Sequence, residues 1–87
     1  EDHSIIYFAH QQLRFDAPVG TIVSLLPLGE VEGLRTEGLK WALRGERLSL
    51  GTRGVSNVVE RSPIRIDWQR GHLVVVRLLR EGELFTW

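Results

Sequence analysis

The chain has 87 residues, of which 43% are hydrophobic and 25% charged, and its eleven basic and eleven acidic side chains cancel. That is one domain near the small end of what folds alone, with enough apolar residues for a core, and the composition excludes intrinsic disorder. There is no cysteine, so no disulfide and no thiolate metal site can help. His3, His10 and His72 lie far apart, without the short spacings of zinc motifs, and no metal site is expected.

All the basic residues but Lys40 are arginine, and they lie among acids rather than in a block. A nucleic-acid backbone binder needs a face with excess positive charge, which this pattern does not supply. No apolar run approaches the ~20 residues of a membrane span, and no signal peptide with a basic start and small-residue cleavage site is expected from these residues. The expectation is therefore no nucleic acid, no membrane and a cytoplasmic location. The chain starts at Glu1 and enters the apolar run Ile5-Ile6-Tyr7-Phe8-Ala9 almost at once. It reads as a piece of a longer protein cut at a domain boundary.

Ile5 to Ala9 is β-branched and aromatic, a strand. Leu13 to Asp16 alternates apolar with polar and is expected to return antiparallel to it, with a bend at His10-Gln11-Gln12. Pro18 and Gly20 mark a loop. Thr21 to Leu26 is nearly all apolar, as in a strand near the middle of a sandwich, and Pro27 ends it because proline cannot donate to a ladder. Glu30 to Thr36 has some helical spacing, but Gly33 and Gly38 disfavour a helix by ~1 kcal/mol each; a short strand with a bulge at Gly33 is preferred.

Leu39, Trp41 and Leu43 alternate with Lys40, Ala42 and Arg44, and Arg47 to Gly51 returns after Gly45-Glu46. This pair is expected to be a hairpin. Arg53 to Glu60 holds Val55, Val58 and Val59 around Ser56-Asn57, another strand. Ile64 to Gln69 and His72 to Leu79 flank Arg70-Gly71 as a second expected hairpin. A polar turn at 80–83 and the tail Leu84-Phe85-Thr86-Trp87 close the chain. Short strands punctuated by glycine or proline, with no helical stripe, predict an all-β fold. It is an antiparallel sandwich, jelly-roll-like, or a flattened barrel, of about eight strands and one domain over 1–87.

Phosphate-loop, nucleophile-elbow and zinc-protease motifs are absent, so the chain by itself is not expected to be an enzyme. Glu30 and Glu32 can share a strand face as a carboxylate pair or magnesium ligand; a solvated edge near Arg35 and Lys40 is the simpler reading. Trp41 has two possible uses. Pattern alone favours a core indole between two sheets. The other use is an exposed platform for a flat ring, cationic rings included, beside a wall opened by Gly38. Ser56 and Asn57 interrupt an apolar run and either bond a turn or face a ligand, since unpaired buried polar groups are costly. Trp68 and Trp87 read as core or interface residues, Arg65, Asp67 and Arg77 as solvated, and His72 as exposed.

Four pieces in order, Ser24-Leu25-Leu26-Pro27-Leu28, Thr36 to Leu43, Leu48-Ser49-Leu50-Gly51 and Gly54-Val55-Ser56-Asn57, resemble the carboxy-terminal vitamin B1-binding domain of thiamin pyrophosphokinase. The likeness covers roughly residues 5 to 80. It implies a domain of an enzyme that moves pyrophosphate from ATP to thiamin with Mg2+. ATP and metal would be held by an amino-terminal α/β domain that is not in this chain. The β-domain would supply the thiamin pocket and much of a homodimer contact. Carried over motif to motif, Trp41 would cover the thiamin rings, Thr36, Gly38 and Leu39 would shape the wall, and Ser56 and Asn57 would hold the aminopyrimidine edge. The run past Leu79 does not match the family pattern.

Two other classes compete. One is a free-standing module recognising sugar or single-stranded nucleic acid through exposed aromatics, which zero net charge and few tryptophans weaken. The other is a structural dimerisation domain with every tryptophan buried.

Overall fold

The computed structural model describes residues 4–49 and 55–79. They form eight strands: β1 (Ser4–Phe8), β2 (Gln12–Phe15), β3 (Ile22–Pro27), β4 (Val31–Glu37), β5 (Arg44–Leu48), β6 (Val55–Val58), β7 (Ile64–Asp67) and β8 (Leu73–Leu78). Two antiparallel four-stranded sheets result, one ordered β1-β8-β3-β6 and the other β2-β7-β4-β5. The expected all-β sandwich is the fold. Pro27 ends β3, which lies between two neighbours in its sheet. The proposed strand end at Leu50-Gly51, the motif residue Gly54, and the tail from Leu84 to Trp87 lie outside the described residues.

Each strand turns one row of side chains inward. Val23 and Leu25 of β3 and Leu73 and Val75 of β8 face Val31, Leu34, Ile64 and Ile66 of the opposite sheet, all essentially buried. Full burial of side chains this size stabilises by about 1.5–3 kcal/mol each, which is how a chain without staples holds together. Tyr7 and Phe15 stack at 4.8 Å between ring centroids, joining β1 of one sheet to β2 of the other. In β4 the pairing with β5 shifts register between Val31 and Leu34. The extra residue at Gly33 lets both apolar side chains face inward where strict alternation would send one to solvent.

Three pairings expected from the sequence are not the ones formed. β2 does not return on β1: β1 pairs with β8, and β2 pairs with β7. Nor are β7 and β8 a hairpin, because they belong to different sheets. The expected pairing of Leu39–Leu43 with Arg47–Gly51 is replaced by β4 with β5, so that Gly45-Glu46 lies within a strand instead of at a turn. For the first two the reason is shared. Alternation requires one buried face per strand, and a corner that carries the chain to the opposite sheet satisfies this as well as a hairpin does. Among consecutive strands, only β4 and β5 share a sheet.

The corners are held by backbone bonds. At the corner between β7 and β8, Leu28 N–H donates to His72 O at 2.9 Å and Glu32 N–H to Arg70 O at 2.9 Å. The Trp68 indole is buried and donates Nε1–H to Gly71 O at 2.9 Å, the core use expected for it. Gly71 has φ of 98°, and a Cβ built there would lie 2.1 Å from Glu30 O. Gly71→Ala is therefore expected to destabilise the fold by more than about 2 kcal/mol in urea unfolding, because neither the backbone angle nor the contact can relax cheaply.

Candidate functional site

The segment between β4 and β5 leaves its own sheet and crosses to the free edge of β6 in the other. Glu60 N–H and Arg61 N–H donate to Gly38 O at 2.7 and 3.1 Å, and Lys40 N–H donates to Val58 O at 2.8 Å. Leu39 forms an isolated bridge with Val59 and is buried. The base of the loop is closed by Thr36, whose N–H donates to Leu43 O at 3.0 Å and whose Oγ1 accepts from Leu43 N–H at 3.0 Å. Thr36 is buried, and this reciprocal pair satisfies its hydroxyl.

Asn57 fixes the next position. Its Oδ1 accepts the Trp41 N–H at 3.0 Å and its Nδ2 donates to Trp41 O at 2.7 Å. Val58 N–H also reaches Oδ1, at 2.9 Å. The amide thus acts as a peptide unit, pairing both backbone groups of Trp41 as a neighbouring strand would. Asn57 is 1% exposed while Trp41 is 54% exposed. A buried amide holds the main chain, and the indole stands out of the core. Of the two uses left open for Trp41, the single chain has the exposed one.

Lys40 lies beside it, its Nζ 4.9 Å from the Trp41 ring centroid. A cation over an indole at that distance is attracted to the ring face, by about 0.5–1 kcal/mol at an exposed site. Gly38 is buried with φ of 91°, and a Cβ on it would sit 2.6 Å from Arg61 O. Its bare Cα meets the Arg61–Pro63 backbone, so glycine is required there by the crossing itself.

The structure therefore brings Thr36, Gly38, Leu39, Trp41 and Asn57 into one crossing. Ser56 lies apart. It precedes Asn57 on β6, is exposed, and pairs with Ser24 across the ladder, so the two polar side chains point to opposite faces of the strand. Glu30 and Glu32 do not meet Arg35 or Lys40. Both approach Arg47, at 3.3 and 3.8 Å. Among the described residues no three His, Asp or Glu come together as metal ligands. No helix among the described residues is long and apolar enough to cross a membrane.

Sequence reasoning missed the role of Asn57 toward Trp41, because a side chain bonding a main chain 16 residues away leaves no periodic mark. Replacing Asn57 by Ala is expected to cost about 2–3 kcal/mol, since it orphans the Trp41 N–H and C=O. Hydrogen exchange at the Trp41 amide is expected to accelerate by more than the global loss accounts for.

Comparison with known proteins agrees with this fold. Residues 9–73 match the family model described as thiamin pyrophosphokinase, vitamin B1 binding domain. A comparison with curated proteins gives no match. Among solved structures, the thiamin pyrophosphokinase of Geobacillus thermodenitrificans is 19% identical with a TM-score of 0.76, over 93% of this chain and 39% of that one. The Bacillus subtilis thiamine pyrophosphokinase is 18% identical with a TM-score of 0.74, over 91% and 38%. A thiamin pyrophosphokinase family protein from Enterococcus faecalis is 13% identical with a TM-score of 0.69, over 92% and 38%. At such identities the structures speak for the fold alone, and the chain spans about two fifths of each protein's length. The family model matches most of the chain, and the chain belongs to the vitamin B1-binding domain family of thiamin pyrophosphokinases.

Proposed function

We propose that this chain supplies the thiamin-binding wall of a thiamin pyrophosphokinase, with Trp41 as the platform on which the vitamin stacks. The observation that carries the reading is the exposed indole held by a buried amide. Thiamin is flat and carries a cationic thiazolium, and an indole face attracts such a ring. Lys40 over the indole would repel that cation if both lay on one face, so the vitamin takes the face that Lys40 leaves. Thr36, Gly38 and Leu39 act as the support that sets the indole's position.

The Oδ1 and one N–H of Asn57 already hold the Trp41 main chain and the amide is buried, so Asn57 serves the vitamin by fixing the platform. Ser56 reaches a ligand only from the outer face of β6, opposite Ser24. We infer that ATP and Mg2+ are held by an α/β domain outside these residues, with the site closed between that domain and this wall. The carboxylates of Glu30 and Glu32 are paired with Arg47 and do not fit a metal site, so no step of phosphoryl transfer is assigned to this chain.

The outer face of the β1-β8-β3-β6 sheet supports a homodimer. Ile6 and Phe8, Val74, Val76 and Leu78, Ile22 and Leu26 share that face through the ladder registers. Phe8 is 79% and Ile6 51% exposed. The described strand residues on this face include no charge, so a second copy can meet it without like-charge repulsion.

In a protein carrying the α/β domain, Trp41→Ala is expected to weaken thiamin binding at least about tenfold by calorimetry. The unfolding free energy should fall by less than about 1 kcal/mol, and Trp41→Phe should recover part of the binding. Unchanged affinity in folded Trp41→Ala would remove the stacking role. Phe8→Glu is expected to shift sedimentation toward the monomer by raising the dimer dissociation constant at least about tenfold.

A further inference from the structure

The outer face of the other sheet contrasts with the apolar one. On it, Arg14 of β2 stands directly opposite Arg65 of β7, and Gln12 stands opposite Asp67. Like charges opposed across an antiparallel pair are destabilising, because their Cβ atoms lie only about 4.5–5.5 Å apart. Little neutralises this pair. Arg65 has Glu37 at 3.9 Å, with both side chains more than half exposed. Arg14 has no carboxylate within ion-pair distance among the described residues. The same two arginines line an open groove of about 290 Å3 together with Gln12, Leu13, Ile66 and Asp67.

We propose that this groove binds the phosphate or diphosphate group of a small hydroxylated molecule, with Arg14 and Arg65 as the two clamps. Two guanidinium forks facing one space match phosphate oxygens, which accept paired N–H bonds from each. A bound anion turns the repulsion between the two side chains into attraction to a shared partner. Gln12 and Asp67 complete the groove one row along, where an amide and a carboxylate accept hydroxyl protons from the organic part. The volume lies at the small end of ligand sites, which fits a small phosphorylated metabolite. β2 is the edge strand of its sheet, whereas Trp41 lies on the connection between β4 and β5 at the opposite edge. The groove is distinct from the thiamin wall and does not rest on the thiamin reading.

The test uses the 87-residue chain, inorganic pyrophosphate and inorganic phosphate as probes, and sodium chloride at matched ionic strength as reference. Arginine Nε–Hε resonances and thermal midpoints are followed through each titration. Pyrophosphate is expected to shift the Arg14 and Arg65 signals saturably and to raise the midpoint above the chloride reference. Arg14→Gln and Arg65→Gln should each weaken binding by about tenfold, while Arg44→Gln, on the far strand of the same sheet, should leave it unchanged. Arg14→Gln without ligand should keep or raise the midpoint, since it relieves the repulsion, and this guards against a folding artefact. Equal weakening by Arg44→Gln, an unsaturable response, or no shift above chloride would each overturn the proposal.

Discussion

The candidate site depends on one side chain acting as backbone. Asn57 is buried at the free edge of β6 and offers its amide to both main-chain groups of Trp41. Without that pairing, the chain between β4 and β5 would have no reason to leave its sheet at Trp41 and present an indole to solvent. The bonds are worth little net in water, about 0.5–1.5 kcal/mol each, but leaving buried partners unmatched costs more. The crossing is therefore specified more by the penalty of undoing it than by the gain of making it.

Around that pairing, Thr36, Gly38 and Leu39 have structural uses that hold the crossing in place. Thr36 closes the loop base through its own hydroxyl. Gly38 permits contact with the 61–63 backbone that any Cβ would block. Leu39 anchors the middle of the crossing in the core. A platform built this way is preorganised, since the vitamin would meet an indole whose backbone is already fixed, and the cost of ordering it is met during folding. The two outer faces of the sandwich differ in character. Among the described strand residues one is apolar and without charge, and the other carries arginines and acids.

Much of the fold was legible in the sequence. Period-two alternation marked most of the strands, although the alternating run at 39–43 is not one and β5 passes through the expected turn at Gly45-Glu46; Pro27 marked the end of β3, and Gly33 marked the bulge. Pairing was not legible, because β1 and β2 bury one face each whether they form a hairpin or sit in opposite sheets. Tyr7 on Phe15 is a contact between sheets that alternation describes no differently from a contact within one. Trp41 shows the same limit at the site. Its place between Leu39 and Leu43 reads as a core position, yet Leu39 is buried and Trp41 exposed, because Asn57 and Lys40 N–H pull the segment onto a different edge. The likeness in the motifs pointed to these residues; the long-range amide bonds that join Asn57 to Trp41 could not be inferred from spacing.

The central claim is that the exposed face of Trp41 receives thiamin. Intermolecular nuclear Overhauser effects between thiamin and the indole protons, in a protein carrying both this chain and the proposed α/β domain, test it most directly. The account predicts contacts from thiamin ring protons to Trp41 and none to the buried Trp68. Saturating thiamin that shows contacts elsewhere and none to Trp41 would contradict it.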